Sequence, residues 1–182
     1  NLGALYHRYA TQQNNREYFA AAENYYRQCL TLEPNHLDSH RGYAVLLAET
    51  SRADQAFAML KSWVATYPTS AEPKVELARL YQEYGDKQSA EAFLSQALQA
   101  NPSSARAWAA LGKLREDAND LSQALAHYQR AYQLNPAQPE VYARMADLGR
   151  RGVNPAPAIT PTAPGYTPGT RMVNAPGPMR RF

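Results

Sequence analysis

Four prolines, Pro34, Pro68, Pro102 and Pro136, follow one another at a constant interval of 34 residues. Each closes the same kind of phrase: LTLEP, VATYP, LQANP and YQLNP. Twelve residues before each proline stands an alanine (Ala22, Ala56, Ala90, Ala124), and eight before it a large residue (Tyr26, Leu60, Leu94, Tyr128). Five before it stand Cys29, Trp63, Ala97 and Ala131. A fixed period of this length means that one supersecondary unit is used several times, and it constrains the fold more than composition does.

The unit reads as two amphipathic helices, with apolar residues at i, i+3, i+4 and i+7. Small residues (Ala44, Ala78, Gly112 in the first helices; Ala56, Ala90, Ala124 in the second) let the helices approach closely, and the large residues fill the gaps between them. The proline ends each second helix. Gly85-Asp86 and Asn119-Asp120 mark turns inside the units, with the aspartates as N-caps. Asn35, Ser70 and Ser104 are candidate caps for first helices. The spacing predicts helices at roughly 2–13, 17–33, 37–50, 53–67, 71–84, 87–100, 105–118 and 121–134. A last helix at 139–150 opens on Pro139, a favoured first helical residue. It carries Glu140, Arg144, Asp147 and Arg151 on one side and Val141, Tyr142, Met145 and Leu148 on the other.

Tyr43-Ala44, Leu77-Ala78 and Leu111-Gly112 recur before their prolines, Met145-Ala146 continues the register, and Trp108 completes a W-x-x-L-G phrase. Together with the period, the small alanine and the terminal proline, these residues resemble the tetratricopeptide repeat family over about residues 2–151. The resemblance implies an all-α, right-handed solenoid: a repeat domain over 1–152, with repeats at about 1–36, 37–70, 71–104 and 105–138 and a capping helix at 139–151. An extended Pro-rich tail follows at 153–182. Arg115 departs from the family pattern, as do His40 and Lys74, which stand where Trp or Leu is usual; the last two suggest looser packing at the starts of the second and third repeats.

The first repeat is longer. Leu2-Gly3 and Tyr6 match the first-helix phrase, yet Ala22 follows Tyr6 by 16 residues where the other repeats give 9. The surplus, divided at Asn14-Asn15, adds about one turn to each helix and brings Tyr9, Tyr18 and Phe19 to the far end of the hairpin. This is either a lengthened surface hairpin or an aromatic contact site. The chain also starts in mid-phrase and without Met, which reads as a piece of a longer protein. The tail holds seven prolines and three glycines in 30 residues and has no helical or strand period, so it reads as an extended arm. Its anchors onto a groove, a second copy or a partner would be Ile159, Tyr166, Met172, Val173, Met179 and Phe182.

Charge narrows the function. Of 19 Lys/Arg and 16 Asp/Glu, only Arg171, Arg180 and Arg181 lie in the tail, so residues 1–152 are neutral. Interleaved charge on the body, with no basic stripe, argues against a nucleic-acid partner. No apolar run is long enough to span a membrane. One cysteine, Cys29, excludes a disulfide framework within the chain; its register position reads as a buried, inert thiol. His36 and His40 are four apart but lack a third ligand, and His7 and His127 are isolated, so no metal or cofactor is expected. The paired acids Glu116-Asp117 read as a solvated helix end. Nothing forms a phosphate loop or a nucleophile elbow, and the chain reads as non-catalytic.

In this family the first helices line a concave surface. Off-register residues there are Arg41, Val45 and Glu49 in the second repeat, with Glu72, Glu76, Arg79 and Gln82 in the third. Arg106 and Lys113 follow in the fourth, then Arg144. They form a surface of mixed sign with a cationic line of Arg41, Arg79, Arg106, Lys113 and Arg144. The lysine-and-asparagine clamp with which some family members grip chaperone tails is not matched, because Arg41 is followed four later by Val45. The expected function is a protein-interaction scaffold or adaptor that binds a partner, an extended peptide or a helix, through the concave groove and the C-terminal tail within a larger assembly, in several copies. The alternative is a structural subunit packing by its outer surface and tail. The Ala, Gln and Pro content reads as bacterial, with the cell envelope or periplasm slightly favoured over the cytoplasm.

Overall fold

The computed structural model of the chain describes residues 2–157. Among these, nine helices occur and no strand: α1 (Leu2–Gln13), α2 (Arg16–Leu32), α3 (Leu37–Glu49), α4 (Ala53–Thr66), α5 (Ala71–Glu83), α6 (Lys87–Ala100), α7 (Ala105–Asp117), α8 (Leu121–Leu134) and α9 (Pro139–Arg150). Odd-numbered helices are the first (A) helices of each pair and even-numbered ones the second (B). Each B helix packs against its own A helix and against the next one. Successive A helices also pack together (α1 with α3, α3 with α5, α5 with α7), while the B helices make no comparable contact with one another. The stack therefore curves with its A helices inside. The tail residues Ile159, Tyr166, Met172, Val173, Met179 and Phe182 lie outside the described residues.

Local chemistry explains the helix ends. Each A helix of the four pairs is followed by a residue in the left-handed region: Asn14 (φ 48°), Ser51 (φ 60°), Gly85 (φ 81°) and Asn119 (φ 59°). Asp86 and Asp120 cap α6 and α8 by accepting from the amides of Ser89 and Gln123, and Ser104 caps α7 through Ala107 N–H. Asn35 is not the cap of α3: His36 is, accepting from Ser39 N–H, and Asn35 instead accepts the Trp63 indole N–H at 2.9 Å. Ser70 precedes α5 without a side-chain cap bond. The extra residues of the first pair fall on both sides of its turn: α2 has 17 residues against 14 in each of the other B helices, and α1 continues from Gly3 to Gln13 where α7 continues only from Gly112 to Asp117.

Within a pair, the A and B helices approach at one register position. A Cβ placed on Gly3 would lie 2.8 Å from the Tyr26 ring, and one on Gly112 would lie 2.6 Å from the Tyr128 ring. The same two positions in the middle repeats hold Ala44 with Leu60 and Ala78 with Leu94, all buried. Pairs one and four thus use glycine beneath tyrosine, and pairs two and three use alanine with leucine. The summed size is kept while its division changes, as close packing requires.

Between pairs, one hydrogen bond recurs. Trp108 donates Nε1–H to the Pro102 carbonyl at 3.0 Å. His40 Nε2 lies 2.9 Å from the Pro34 carbonyl, and Lys74 Nζ donates to the Pro68 carbonyl and, at 2.9 Å, to that of Ser70. The expectation of looser packing at His40 and Lys74 is therefore wrong. Both are buried, and His40 stacks on Trp63 with centroids 3.9 Å apart. Three unlike side chains do one task, because the position demands a long group ending in an N–H. Burial lowers the Lys74 pKa; it also lowers that of His40, against the opposing pull of the Pro34 carbonyl. Arg115 has a similar explanation: it pairs with Glu91 of the preceding B helix, at the register position where Tyr81 meets Phe57 at 4.9 Å.

Cys29 is half-buried rather than sealed in the core. In α9, Val141 and Leu148 are buried as the pattern predicts, but Tyr142 is 60% exposed, with no further B helix over it among the described residues. After α9 the chain turns back: Val153 packs on the core and Ala156 N–H donates to Ser122 O at 3.0 Å.

Two outcomes follow. Gly112→Ala is expected to cost about 1–3 kcal/mol by overpacking against Tyr128. In the Gly112→Ala/Tyr128→Leu double variant, which copies the middle repeats, the two costs should not add; urea denaturation of all four proteins measures the coupling. The second concerns His127, buried against Trp108, whose pKa burial and then the Arg115 charge push down from 6.5 to about 4; Asp120 opposes this weakly. Its folded pKa lies below its unfolded one, so stability is complete above about pH 6.5 and is lost as pH falls toward 4, by up to about 3 kcal/mol. His127→Phe, the residue found one repeat earlier at Phe93, should flatten that slope in melts across pH 4–7, leaving smaller slopes of the same sign from His40 and, at the acid end, from the lowered carboxyls of Glu23 and Asp86.

Candidate functional site

The inner face of the stack holds a trough of about 870 Å³ that crosses α3, α5 and α7 and ends at the start of α9. Its floor is apolar or neutral: Val45, Val75 and Ala109, with Val141 at the end wall and the Tyr128 ring beneath the Gly112 opening. Of the ten groove residues expected from register, Arg41, Val45, Glu76, Arg79, Gln82, Arg106, Lys113 and Arg144 line it. Glu49 and Glu72 do not. Glu49 faces α1, where it accepts from His7 Nε2 at 3.0 Å and Thr11 Oγ1 at 3.2 Å. Glu72 accepts from Arg106 Nη1 at 2.7 Å beside the trough.

The electrostatic centre is Glu76. Its carboxylate is only 4% exposed, and three arginines from three A helices converge on it. Arg106 Nη2 donates directly, Arg79 Nη1 lies at 3.3 Å, and Arg41 Nε at 3.5 Å. Arg41 Nε is buried and makes no hydrogen bond. The cationic line is thus not a free line. Arg106 is consumed by Glu72 and Glu76, and Arg144 leans on Glu116 at 3.4 Å while remaining 59% exposed. Arg41 and Arg79 keep half-exposed guanidinium groups with spare donors, and the exposed Lys113 carries no ion pair.

Glu116 and Asp117 are not merely a solvated helix end. Glu116 accepts the Tyr128 hydroxyl proton at 2.8 Å, and burial followed by that bond pushes the Tyr128 pKa upward. Asp117 accepts from Gln82 Nε2 at 2.5 Å, closing the trough edge between α5 and α7. Sequence reasoning also missed the far wall, Ala137 to Val141, in which Glu140 alone has a repeat counterpart, Arg106, lining the groove. It could have found the Glu72–Arg106 bond, because these residues are 34 apart and so occupy one register position in adjacent repeats.

His36 caps α3 and His40 holds Pro34, so both have structural partners. No helix among the described residues is long and apolar enough to cross a membrane.

Three sequence profiles, each described as a tetratricopeptide repeat, match residues 12–71, 47–114 and 105–148, running without a gap from 12 to 148. With the stacked helix pairs, they establish that the chain belongs to the tetratricopeptide repeat family. No curated protein matches the sequence. Solved structures share the fold. The crystal structure of MamA superposes with a TM-score of 0.54 at 20% identity, covering 78% of this chain and 82% of that one. A Pseudomonas aeruginosa pilF structure gives 0.59 at 22% identity, with 82% and 68% covered. The first such domain of Spaghetti (RPAP3), described as bound to the HSP90 peptide SRMEEVD, gives 0.55 at 17% identity, with 63% and 94% covered.

Removing the Glu76 charge should be costly, because it leaves three converging arginines without their common anion. Glu76→Gln is expected to lose about 2–4 kcal/mol, whereas Arg144→Ala on the rim should lose less than about 1 kcal/mol. Urea midpoints of the two variants at equal pH check the contrast.

Proposed function

We propose that this protein is a non-catalytic interaction scaffold that holds a segment of a partner protein, extended or helical, in the concave trough. The observation that carries this reading is the trough itself. An apolar floor two repeats long is bordered by Lys113, Arg79 and Arg41, which keep exposed N–H donors, and by the carboxylates of Glu83, Asp117 and Glu140, so the rim is of mixed sign. Such a surface suits a segment that buries apolar side chains on Val45 and Ala109 and sets one or two carboxylates against Lys113 and Arg79. The RPAP3 domain, which has the same fold, is described as bound to an acidic-ended peptide; that precedent supports the mode of binding and not the partner. The residues of the chaperone clamp are absent here, so the segment is held by different contacts.

A photo-crosslinking residue placed at Val45 or Ala109, in the native source, tests the proposal. Adducts with another protein should form from both positions and not from Gln96, which is exposed on the outer side of α6. Adducts from Gln96 with none from Val45 or Ala109 would favour the other reading, a structural subunit packing by its outer surface.

A further inference from the structure

The 34-residue repeat sets a fixed spacing between the groups on the trough surface. Val45, Arg79 and Lys113 follow one another at intervals of 34 residues, so they hold one register position on α3, α5 and α7. All three are exposed and line the trough. They form a row across the stack that reads apolar, cation, cation. The next residue of this register, Asp147 of α9, is paired with Arg150 and Arg151 and does not line the trough. One turn toward the helix C-termini runs a second row, Glu49, Glu83 and Asp117, which is acidic throughout. One turn the other way, α5 and α7 carry only Val75 and Ala109.

Successive A helices pack side by side, which puts equivalent backbone positions about 8–10 Å apart. A ligand that meets the row with one side of its chain has to repeat at that distance. A polyproline II segment does so, because three residues per turn at about 3.1 Å each give about 9 Å. A β-strand does not, since its same-face side chains recur about every 6.6 Å. An α-helix matches only with residues seven apart, and the ~20 Å of helix that spans the row fills roughly 1,500 Å³, where the trough offers about 870 Å³. Resting on the reading of the trough given above, we propose that its occupant is a polyproline II segment of a partner protein, with one apolar residue and two carboxylates at three-residue intervals, in either chain direction. The apolar residue sits on Val45 and the carboxylates meet Arg79 and Lys113. The neighbouring rows hold the ligand in register. A shift toward the helix C-termini sets its carboxylates against Glu83 and Asp117, and a shift the other way leaves them on Val75 and Ala109 without either cation.

The probes are labelled peptides: Leu-Pro-Pro-Glu-Pro-Pro-Glu, its reversed sequence, and Leu-Pro-Glu-Pro-Glu-Pro-Pro, a control of the same composition with the acids two apart. In fluorescence anisotropy on the full chain, one of the first two should bind saturably and at least about tenfold more tightly than the control. Lys113→Glu should lose that binding and regain it when the glutamate farther from leucine is replaced by lysine in the peptide. Lys113 is exposed and carries no ion pair, so the melting temperature of this variant should be unchanged. No saturable binding of either peptide would overturn the proposal, as would equal affinity for the control. So would tighter binding of a stapled helix that carries the leucine and the two glutamates seven apart. Crosslinked adducts from Val45 and Ala109 together with any of these results would sink the spacing alone, whereas adducts from neither position would sink the trough reading as well.

Discussion

Each helix pair is tied to the next at the place where the chain would otherwise come apart. The proline that ends a B helix has no N–H to give, and its carbonyl sits just past the last helical turn. Six residues later a buried side chain of the next A helix returns an N–H to that carbonyl: His40 to Pro34, Lys74 to Pro68, Trp108 to Pro102. Leaving such a carbonyl buried and unpaired would cost about 1–3 kcal/mol at each junction. The bond also fastens the loop between two pairs to the first turns of the next A helix, and in the stack so joined the A helices lie on the inside and border the trough.

A second constraint acts within each pair. The A and B backbones approach closely, so the residues between them share a limited volume. Glycine with tyrosine and alanine with leucine are two solutions, and the tyrosine solution has a functional consequence. A leucine stops in the core, whereas Tyr128 carries its hydroxyl through to the inner face, where it meets Glu116. Tyr26 does the same at the other end, with its hydroxyl 3.5 Å from His7 Nδ1, and burial, aided by the Glu49 charge, raises its pKa to about 12.

The helices and their order are legible in the sequence because each repeat states the same pattern again, and an error in one is corrected by the others. The caps Asp86, Ser104 and Asp120 are legible because their chemistry is local. What was not legible depends on neighbours in space. His40 and Lys74 look like defects until the Pro34 and Pro68 carbonyls are placed beside them. Asn35 looks like a cap until Trp63 claims its side chain. Glu49 has the right register for the groove, but the lengthened first pair brings His7 and Thr11 to it. The convergence of three arginines on Glu76 needs the curvature of the stack, which no single repeat encodes.

These features describe a stack of helix pairs whose inner surface keeps exposed cationic donors, and the account's central claim is that a partner uses that surface. Quantitative affinity capture from the native source tests it most directly. Three proteins are compared: the chain itself, its Arg79→Glu/Lys113→Glu variant, and the chain without residues 158–182. Lys113 carries no ion pair, and Arg79 is exposed but bonded to the buried Glu76, so thermal melts of the variant accompany the capture to show that the fold persists. The account predicts that the charge reversal loses the captured partners and that the shortened chain keeps them. Partners retained after charge reversal and lost with residues 158–182 would contradict it.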